Sequence, residues 1–189
     1  MKNIVFLILI FYSFNGFCFS TDLNALYLSD SITADEETAR TYLMWDIGLL
    51  MNLDRKGRFQ IGWAYGSMSV EDSGGSTASY TMTEMGPKLG LYLDKERTWG
   101  LFATYNLIST ATYLSASGGT EEEWRGTSLK AEFGYTPNLT ETIVAGLRLN
   151  YHTMTYSEQL VGASTFSAIS KGRAVIYPTF IISWRPGEN

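Results

Sequence analysis

One histidine is the first candidate for chemistry in this sequence. His152 is the single histidine of the chain, so a hydrolase that relied on a histidine general base would have to use it. The alternation of its segment places His152 on the same polar face as Asn150. Two interpretations follow: a catalytic base, or a structural histidine that is hydrogen-bonded to Asn150 or to a nearby carboxylate. The sequence favours the second.

Charged residues on similar polar faces are the second candidate. They alternate with glycines and amides instead of forming charged blocks, which is typical of a narrow barrel interior. Charges that are removed from water need partners of opposite sign, so the sequence predicts a network of paired charges inside a lumen. With His152, its predicted members are Asp46, Glu84, Lys88, Lys130, Glu132, Arg148 and Arg173.

Two functions are open to such a network. The simpler is a salt-bridged plug that stiffens the barrel, because an eight-stranded barrel is just wide enough for side chains to fill it. The other is a gated or narrow ion path. Neither function needs a bound group. Because the sequence has neither the regular spacing of a calcium loop nor a phosphate-binding motif, we expect no metal and no cofactor.

Composition excludes several other classes of protein. The chain has 14 Lys and Arg against 19 Asp and Glu, a net charge of -5, and it lacks a basic stripe, so nucleic acid is not an expected partner. Its one cysteine, Cys18, lies in a segment that we expect to be removed. The mature protein would then have no disulfide, zinc thiolate or cysteine nucleophile. Abundant Tyr, Trp, Phe, Gly and Thr are typical of strands and turns.

The start of the chain is typical of a secretory signal peptide. Lys2 precedes an apolar run over residues 4–14, which small and turn-forming residues follow. The run is shorter than the roughly 20 apolar residues of a membrane-spanning helix. Cleavage after Ser20 would leave small side chains at the last and third-last positions. We therefore predict a signal peptide over residues 1–20 and one domain over residues 21–189.

The rest of the chain alternates between apolar and polar residues. In the clearest segment Ile143, Leu147 and Leu149 share one face, and Arg148 and His152 share the other. A period of two over this length indicates a β-strand. Eight segments show the pattern, with predicted spans 23–32, 40–52, 58–70, 80–93, 98–113, 125–136, 142–156 and 169–184.

The breaks between these segments are alternately short and long. Tight turns are predicted at residues 54–57, 94–97 and 137–141, and wider loops at 34–38, 71–79, 114–124 and 157–168. Short turns on one side and long loops on the other are the pattern of outer-membrane barrels. Aromatic side chains next to the short turns would mark the lipid–water interface. This predicted girdle consists of Phe59, Trp99, Tyr135 and Trp184.

A soluble sandwich or a lipocalin-like barrel would alternate in the same way. The polar face, rich in glycine and charge, favours a membrane barrel, whose lumen is crowded. We therefore predict an all-β fold, an eight-stranded antiparallel up-and-down transmembrane β-barrel. Pro87 and Pro178 lack the amide hydrogen that a ladder uses, so we expect a bulge at each.

The chain resembles the small outer-membrane barrels of the OmpX, OmpA and OmpW class. The likeness lies in the number of strands, in the alternation of short and long connections, and in an aromatic last strand that ends at Trp184. The chain departs from those barrels in the five residues 185–189 that follow the aromatic. The resemblance implies a bacterial outer-membrane location, contact with outer-membrane lipids and lipopolysaccharide, and insertion by the barrel assembly machinery. The resemblance to OmpW in particular implies the passage of small apolar molecules.

Four functions remain as hypotheses. The first is a structural or surface-interaction protein whose loops contact an extracellular ligand. The second is a minor pore or transporter, and the third is a lipid A-modifying enzyme. Met154 stands where a deacylase of this size would have a serine two residues after His152, so we expect no enzyme. A soluble periplasmic binding barrel is the fourth.

Overall fold

The structure is a computed structural model, and it describes residues 19–32, 38–54, 56–73, 78–114, 119–162 and 165–185. These residues form a closed barrel in which each strand is antiparallel to its neighbours and β8 returns to β1. The strands are β1 (Phe19–Ile32), β2 (Thr38–Asn52), β3 (Phe59–Ser73), β4 (Ala78–Tyr92), β5 (Trp99–Leu114), β6 (Glu122–Tyr135), β7 (Ile143–Val161) and β8 (Ser167–Trp184). The prediction of an all-β, eight-stranded up-and-down barrel is confirmed.

Most of the predicted signal peptide lies outside the described residues. Residues 1–18 are not described, whereas Phe19 and Ser20 belong to β1. The proposed cleavage therefore stays a prediction. Within the described residues, no helix has the length and apolar character needed to cross a membrane.

The barrel has a polar interior and an apolar exterior. On β5 the side chains of Trp99, Leu101 and Tyr105 are exposed, whereas those of Phe102 and Thr104 are buried. A strand places successive side chains on opposite faces, so in a closed ring one face points into the lumen and the other points outward. The apolar residues of the sequence pattern therefore cover the outside of the barrel.

Aspartates organise two of the turns at one end of the barrel. Asp94 accepts hydrogen bonds from the backbone N–H groups of Thr98 and Trp99 at 3.0 and 2.8 Å, and Asp54 accepts one from Phe59 at 2.9 Å. Partial burial acts to raise the pKa of Asp94, but the amide donors stabilise the carboxylate and hold the pKa below its ordinary value. Each carboxylate thus fixes the start of the next strand.

At the other end the strands continue into segments that the sequence predicted as wide loops. β7 runs to Val161 and β8 begins at Ser167, both inside the predicted loop 157–168. Unlike charges face each other at the extension of β7, since Arg125 on β6 lies directly opposite Glu158. Cross-strand pairs of opposite charge stabilise a sheet even where the composition is typical of a loop.

The predicted bulge at Pro87 is confirmed. The register between β4 and β5 shifts between Met85 and Lys88, which releases Pro87 from a hydrogen bond that it cannot donate. Gly86 is required at the same place, because a Cβ there would lie 2.0 Å from the carbonyl oxygen of Tyr105. The close approach of the two backbones leaves room for glycine alone.

The predicted bulge at Pro178 is wrong. Pro178 lies opposite Leu149 in an unshifted stretch of the β7–β8 register. The backbone N–H of Arg185 donates to the carbonyl of Thr142 on the β7 side at 2.8 Å. Because residues of an antiparallel strand face its two neighbours alternately, the nitrogen of Pro178 faces β1. The β7–β8 ladder therefore loses no donor at the proline.

The seam between β1 and β8 is short as a result. Its register runs from Thr21, opposite Trp184, to Ala25, opposite Phe180. Continuing that register would bring Tyr27 opposite Pro178, which has no N–H to give it. The proline therefore stops the ladder that closes the barrel.

Replacing Pro178 with alanine should lengthen this seam. The new N–H can donate to the carbonyl of Tyr27, and because the two residues of such a pair exchange both N–H···O bonds, the Tyr27 N–H can then donate to the carbonyl of residue 178. Amide hydrogen exchange at Tyr27 should slow by about fivefold or more, because each additional ladder bond is worth about 1 kcal/mol. NMR of the refolded protein would measure it. Pro87→Ala is the matched control, since its bulge lies in another ladder. Equal exchange at Tyr27 in the two variants would contradict this explanation of the seam.

Candidate functional site

The interior is organised around Glu132 on β6. Its Oε1 accepts a hydrogen bond from Lys88 Nζ at 2.8 Å, and its Oε2 accepts one from Arg148 Nη1 at 2.8 Å. Lys130 Nζ lies 3.7 Å from the same carboxylate. The side chains of Lys88 and Glu132 are 0% exposed. One carboxylate therefore contacts cations from three strands, β4, β6 and β7.

Asp46 on β2 extends the network across the lumen. Its Oδ2 accepts a hydrogen bond from Lys130 Nζ and its Oδ1 accepts one from Asn24 Nδ2, each at 2.8 Å. Oδ1 also lies 4.0 Å from Lys88 Nζ. Lys88 and Lys130 are thus each shared between two carboxylates. Each of these buried groups thus has a partner of opposite sign, as charges removed from water require.

Arg148 links the network to the first strand and rests on an aromatic ring. Its Nη2 donates to Asp22 Oδ2 on β1 at 2.7 Å, and its guanidinium carbon lies 3.8 Å from the centre of the Phe102 ring. Cations are attracted to the face of an aromatic ring. Phe102 fits because Gly90 and Gly100 flank it, where added Cβ atoms would lie 2.8 and 2.6 Å from the ring.

His152 lies beside Glu84, next to Asp46 and Lys130 of the same network. Its Nε2 is 3.0 Å from Glu84 Oε2, and the Tyr177 hydroxyl is 3.4 Å from its Nδ1. The hydroxyl of Ser128 donates to the same Glu84 oxygen at 2.5 Å. The serine hydroxyl thus donates to the carboxylate, whereas in a hydrolase the nucleophile donates directly to the imidazole.

One predicted member lies apart from the network. Arg173 on β8 is half-buried, and its guanidinium carbon is 4.7 Å from the centre of the Tyr80 ring. Among the described residues no carboxylate forms a salt bridge with Arg173. The structure brings the other members together in the lumen: Asp46, Glu84, Lys88, Lys130, Glu132, Arg148 and His152.

The sequence missed three interior residues. Asp22 was placed outside the first predicted strand, although it shares its inward face with Asn24. Phe102 is an aromatic on a face expected to be polar. Arg185 was assigned to the tail after the last strand, yet it is 2% exposed, and its guanidinium donates to the Tyr92 hydroxyl. If the first predicted strand, 23–32, is extended by one residue toward the N-terminus, its alternation includes Asp22.

The four residues of the predicted girdle lie on the outer face, next to the tight turns. They are Phe59, Trp99, Tyr135 and Trp184, all of which are exposed. Trp99 and Tyr135 are cross-strand partners, and their ring centres are 4.7 Å apart. Farther along the strands Tyr65 lies on the outer face with its ring centre 5.6 Å from that of Trp45. Aromatic side chains therefore lie toward both edges of the apolar exterior.

Buried apolar side chains, among them Met44, Met68 and Met82, line the lumen beside the charges. A small cavity, with room for about one water molecule, lies between the carboxylates and a group of methionines. In the described part of the chain no group of three or more His, Cys, Asp or Glu residues is arranged to hold a metal ion.

Comparisons with known proteins give a likeness in structure but none in sequence. No protein-family model matches the chain, and no curated protein sequence matches it. Among solved structures, the chain is similar to the crystal structure of Neisserial surface protein A (NspA), with a TM-score of 0.49 and 11% sequence identity. The match covers 90% of this chain and 97% of that chain.

Neutralising Glu132 should destabilise the barrel strongly. Glu132→Gln leaves Lys88 and Arg148 buried with one carboxylate partner fewer each, and breaking a buried pair typically costs about 3–5 kcal/mol. Urea unfolding of the refolded protein in lipid vesicles would measure the change. Glu123→Gln is the control, because the Glu123–Arg125 pair is exposed and should contribute about 1 kcal/mol or less.

The double variant Glu132→Gln/Lys88→Met separates charge from packing. Removing both partners leaves fewer unpaired charges, so the double variant should lose less stability than the two single variants added together. If Glu132→Gln is no less stable than Glu123→Gln, Glu132 is not the organising group of the lumen.

Proposed function

We propose that this protein is an integral β-barrel of a bacterial outer membrane, with a structural or surface-interaction role and a lumen closed by paired charges. The observation that carries the proposal is the inverted distribution of polarity. Charged side chains such as Lys88 and Glu132 are fully buried, whereas Leu149, Phe180 and Ile182 are more than half exposed. Lipid around the barrel would accommodate that surface, whereas water would not.

The dimensions of the apolar exterior support a membrane location. On β5 the outward apolar residues run from Trp99 to Leu107, which matches the roughly 9–11 residues that a tilted strand needs to cross a bilayer. Trp99 lies at one edge of that stretch and Tyr105 near the other. Aromatic rings with a polar atom are favoured at both lipid–water interfaces.

The two ends of the barrel differ in a way that supports an orientation. The tight turns at Asp54 and Asp94 lie at one end, as periplasmic turns do. At the other end the strands carry charged pairs, Arg40 with Asp72 and Lys171 with Glu122. We propose that this charged end faces lipopolysaccharide and an extracellular ligand. Export by a signal peptide and insertion by the barrel assembly machinery belong to the same proposal.

A closed scaffold fits the lumen better than a pore or an enzyme. An open aqueous path would expose the side chains that line it, and Lys88, Glu132 and Arg148 are at most 2% exposed. The Ser128 hydroxyl donates to Glu84 and not to His152, so the serine lacks the histidine contact that a hydrolase uses. A minor pore for small molecules is the alternative that a conducting lumen would favour.

Membrane extraction and conductance test the proposal together. The protein should stay in the membrane pellet after a high-salt wash, dissolve in detergent, and shift its gel mobility on heating as a stable barrel does. In a planar bilayer it should give no steady channel, because the paired charges of the lumen are buried from water. The variant Lys88→Ala/Glu132→Ala removes a neutral pair and is the control that opens space, so its current should exceed that of the wild type.

Two outcomes separate the parts of this proposal. Release by salt alone would contradict the membrane barrel and favour a soluble periplasmic barrel. Steady wild-type conductance, with membrane extraction as expected, would contradict the closed lumen and favour the pore.

A further inference from the structure

Two alanines lie side by side within the apolar exterior of the barrel. Ala103 on β5 is directly opposite Ala131 on β6, and both are exposed on the outer face. Directly opposite residues have Cβ atoms roughly 4.5–5.5 Å apart. The pairs that flank the alanines on the same face are large and exposed, Leu101 with Phe133 and Tyr105 with Leu129. The outer surface is therefore indented at the level of the alanines.

This indentation belongs to an open groove across four strands, which we call the outer groove. Its volume is about 250 Å³, and its outward side chains are those of Leu101, Ala131, Phe133, Leu149, Tyr151 and Ile176. Glu132 and Asn150 also border it, but they are 2% and 1% exposed and their side chains belong to the lumen. The outer groove therefore presents an apolar and aromatic lining to whatever surrounds the barrel.

The barrel fold does not itself require small residues at this place. Inside the ring, glycine is needed where backbones approach closely, as at Gly86. Outward side chains do not meet others across a lumen, so crowding of that kind does not select the two alanines. Alanine is also less favoured in strands than β-branched and aromatic residues. The alanine pair is therefore better explained by an outside group that the outer groove accommodates.

The distance from the aromatic girdle gives the depth of the outer groove in a bilayer. Ala131 is four residues from Tyr135 along β6, and Ala103 is four residues from Trp99 along β5. At roughly 3.4 Å per residue and a tilt of about 40°, four residues rise about 10 Å. The apolar band of such a barrel is about 25 Å tall. The alanines therefore lie in the half of the band next to the tight turns, where the bilayer consists of acyl chains.

We propose that the outer groove binds one acyl chain of a phospholipid from the leaflet next to the tight turns. This inference rests on the proposed membrane location, and the proposed orientation makes that leaflet the periplasmic one. A volume of about 250 Å³ equals that of roughly eight water molecules, which suits a run of methylene groups along one chain. A chain in the groove contacts Ala131 below it and large side chains beside it. It therefore gains more dispersion contacts than a chain on a convex wall.

Native mass spectrometry of the refolded full-length protein tests the site. After reconstitution into vesicles of phosphatidylethanolamine and phosphatidylglycerol and extraction in mild detergent, each chain should retain one phospholipid. Ala131→Leu fills the groove, so the ratio of lipid-bound to lipid-free protein should fall about fivefold or more, the change that about 1 kcal/mol gives. A phospholipid with a photoreactive group in its acyl chain should crosslink to groove residues such as Leu149 and Tyr151.

Ala25→Leu is the matched control. Ala25 is an exposed alanine on β1, opposite Trp45 and Phe180, and it does not line the outer groove. The same substitution there should leave phospholipid retention unchanged, although it adds the same apolar side chain to the exterior. Heat-shifted gel mobility shows whether each variant is folded. If Ala131→Leu does not fold, the positions of the crosslinks in the wild type decide.

Several results would overturn the proposal. They are no phospholipid retained by the wild type, equal retention in Ala131→Leu and Ala25→Leu, and crosslinks spread evenly around the barrel. A wild-type dimer that Ala131→Leu converts to a monomer would also overturn it, because the groove would then hold a second copy. Protein that stays in the membrane pellet after a salt wash but retains no phospholipid contradicts the groove alone. Release by salt contradicts the membrane location as well.

Discussion

The structure depends on the pairing of charges inside a barrel too narrow to hydrate them. Each buried carboxylate of the central network contacts cations from other strands, so that Lys88–Glu132 joins β4 to β6 and Lys130–Asp46 joins β6 to β2. A charge without its partner would be strongly unfavourable in this environment. The pairs therefore fix how opposite walls of the barrel face each other.

The Arg148–Asp22 pair has a second role at the seam. Pro178 ends the β1–β8 ladder at Ala25, so the ring closes there with fewer backbone bonds than elsewhere. Arg148 on β7 reaches past β8 to Asp22 on β1 at 2.7 Å and supports closure from inside. The same guanidinium rests on Phe102, in the space left by glycines. Arg148 thus takes part both in the charge pairing of the lumen and in the closure of the barrel.

The sequence predicted the strands well because alternation of side chains is a local property. A period of two identifies a strand and its two faces without knowledge of its neighbours. The partners of each charge depend on register and on contacts across the lumen, which the alternation does not contain. Arg173, which contacts Tyr80, and Asp22, which binds Arg148, show this limit.

The two prolines show the same limit on the backbone. Both lack an amide hydrogen, yet Pro87 lies at a bulge and Pro178 lies in an unshifted register beside a ladder that ends. Which neighbour a proline nitrogen faces depends on the hydrogen-bonding phase of the strand. Strand pairing sets this phase. The sequence alone therefore shows that proline lacks a donor, but not which of the two neighbouring ladders loses the hydrogen bond.

The most direct test of an apolar exterior around a polar lumen is a spin-label scan along β5. With Cys18 replaced by serine, single cysteines at positions 99 to 107 would carry a nitroxide in protein reconstituted into lipid bilayers. Oxygen accessibility should alternate with a period of two, high at Leu101 and Tyr105 and low at Phe102 and Thr104. Uniform accessibility, or water-soluble reagents reaching the outward positions, would contradict an apolar exterior in lipid around a closed, charged lumen.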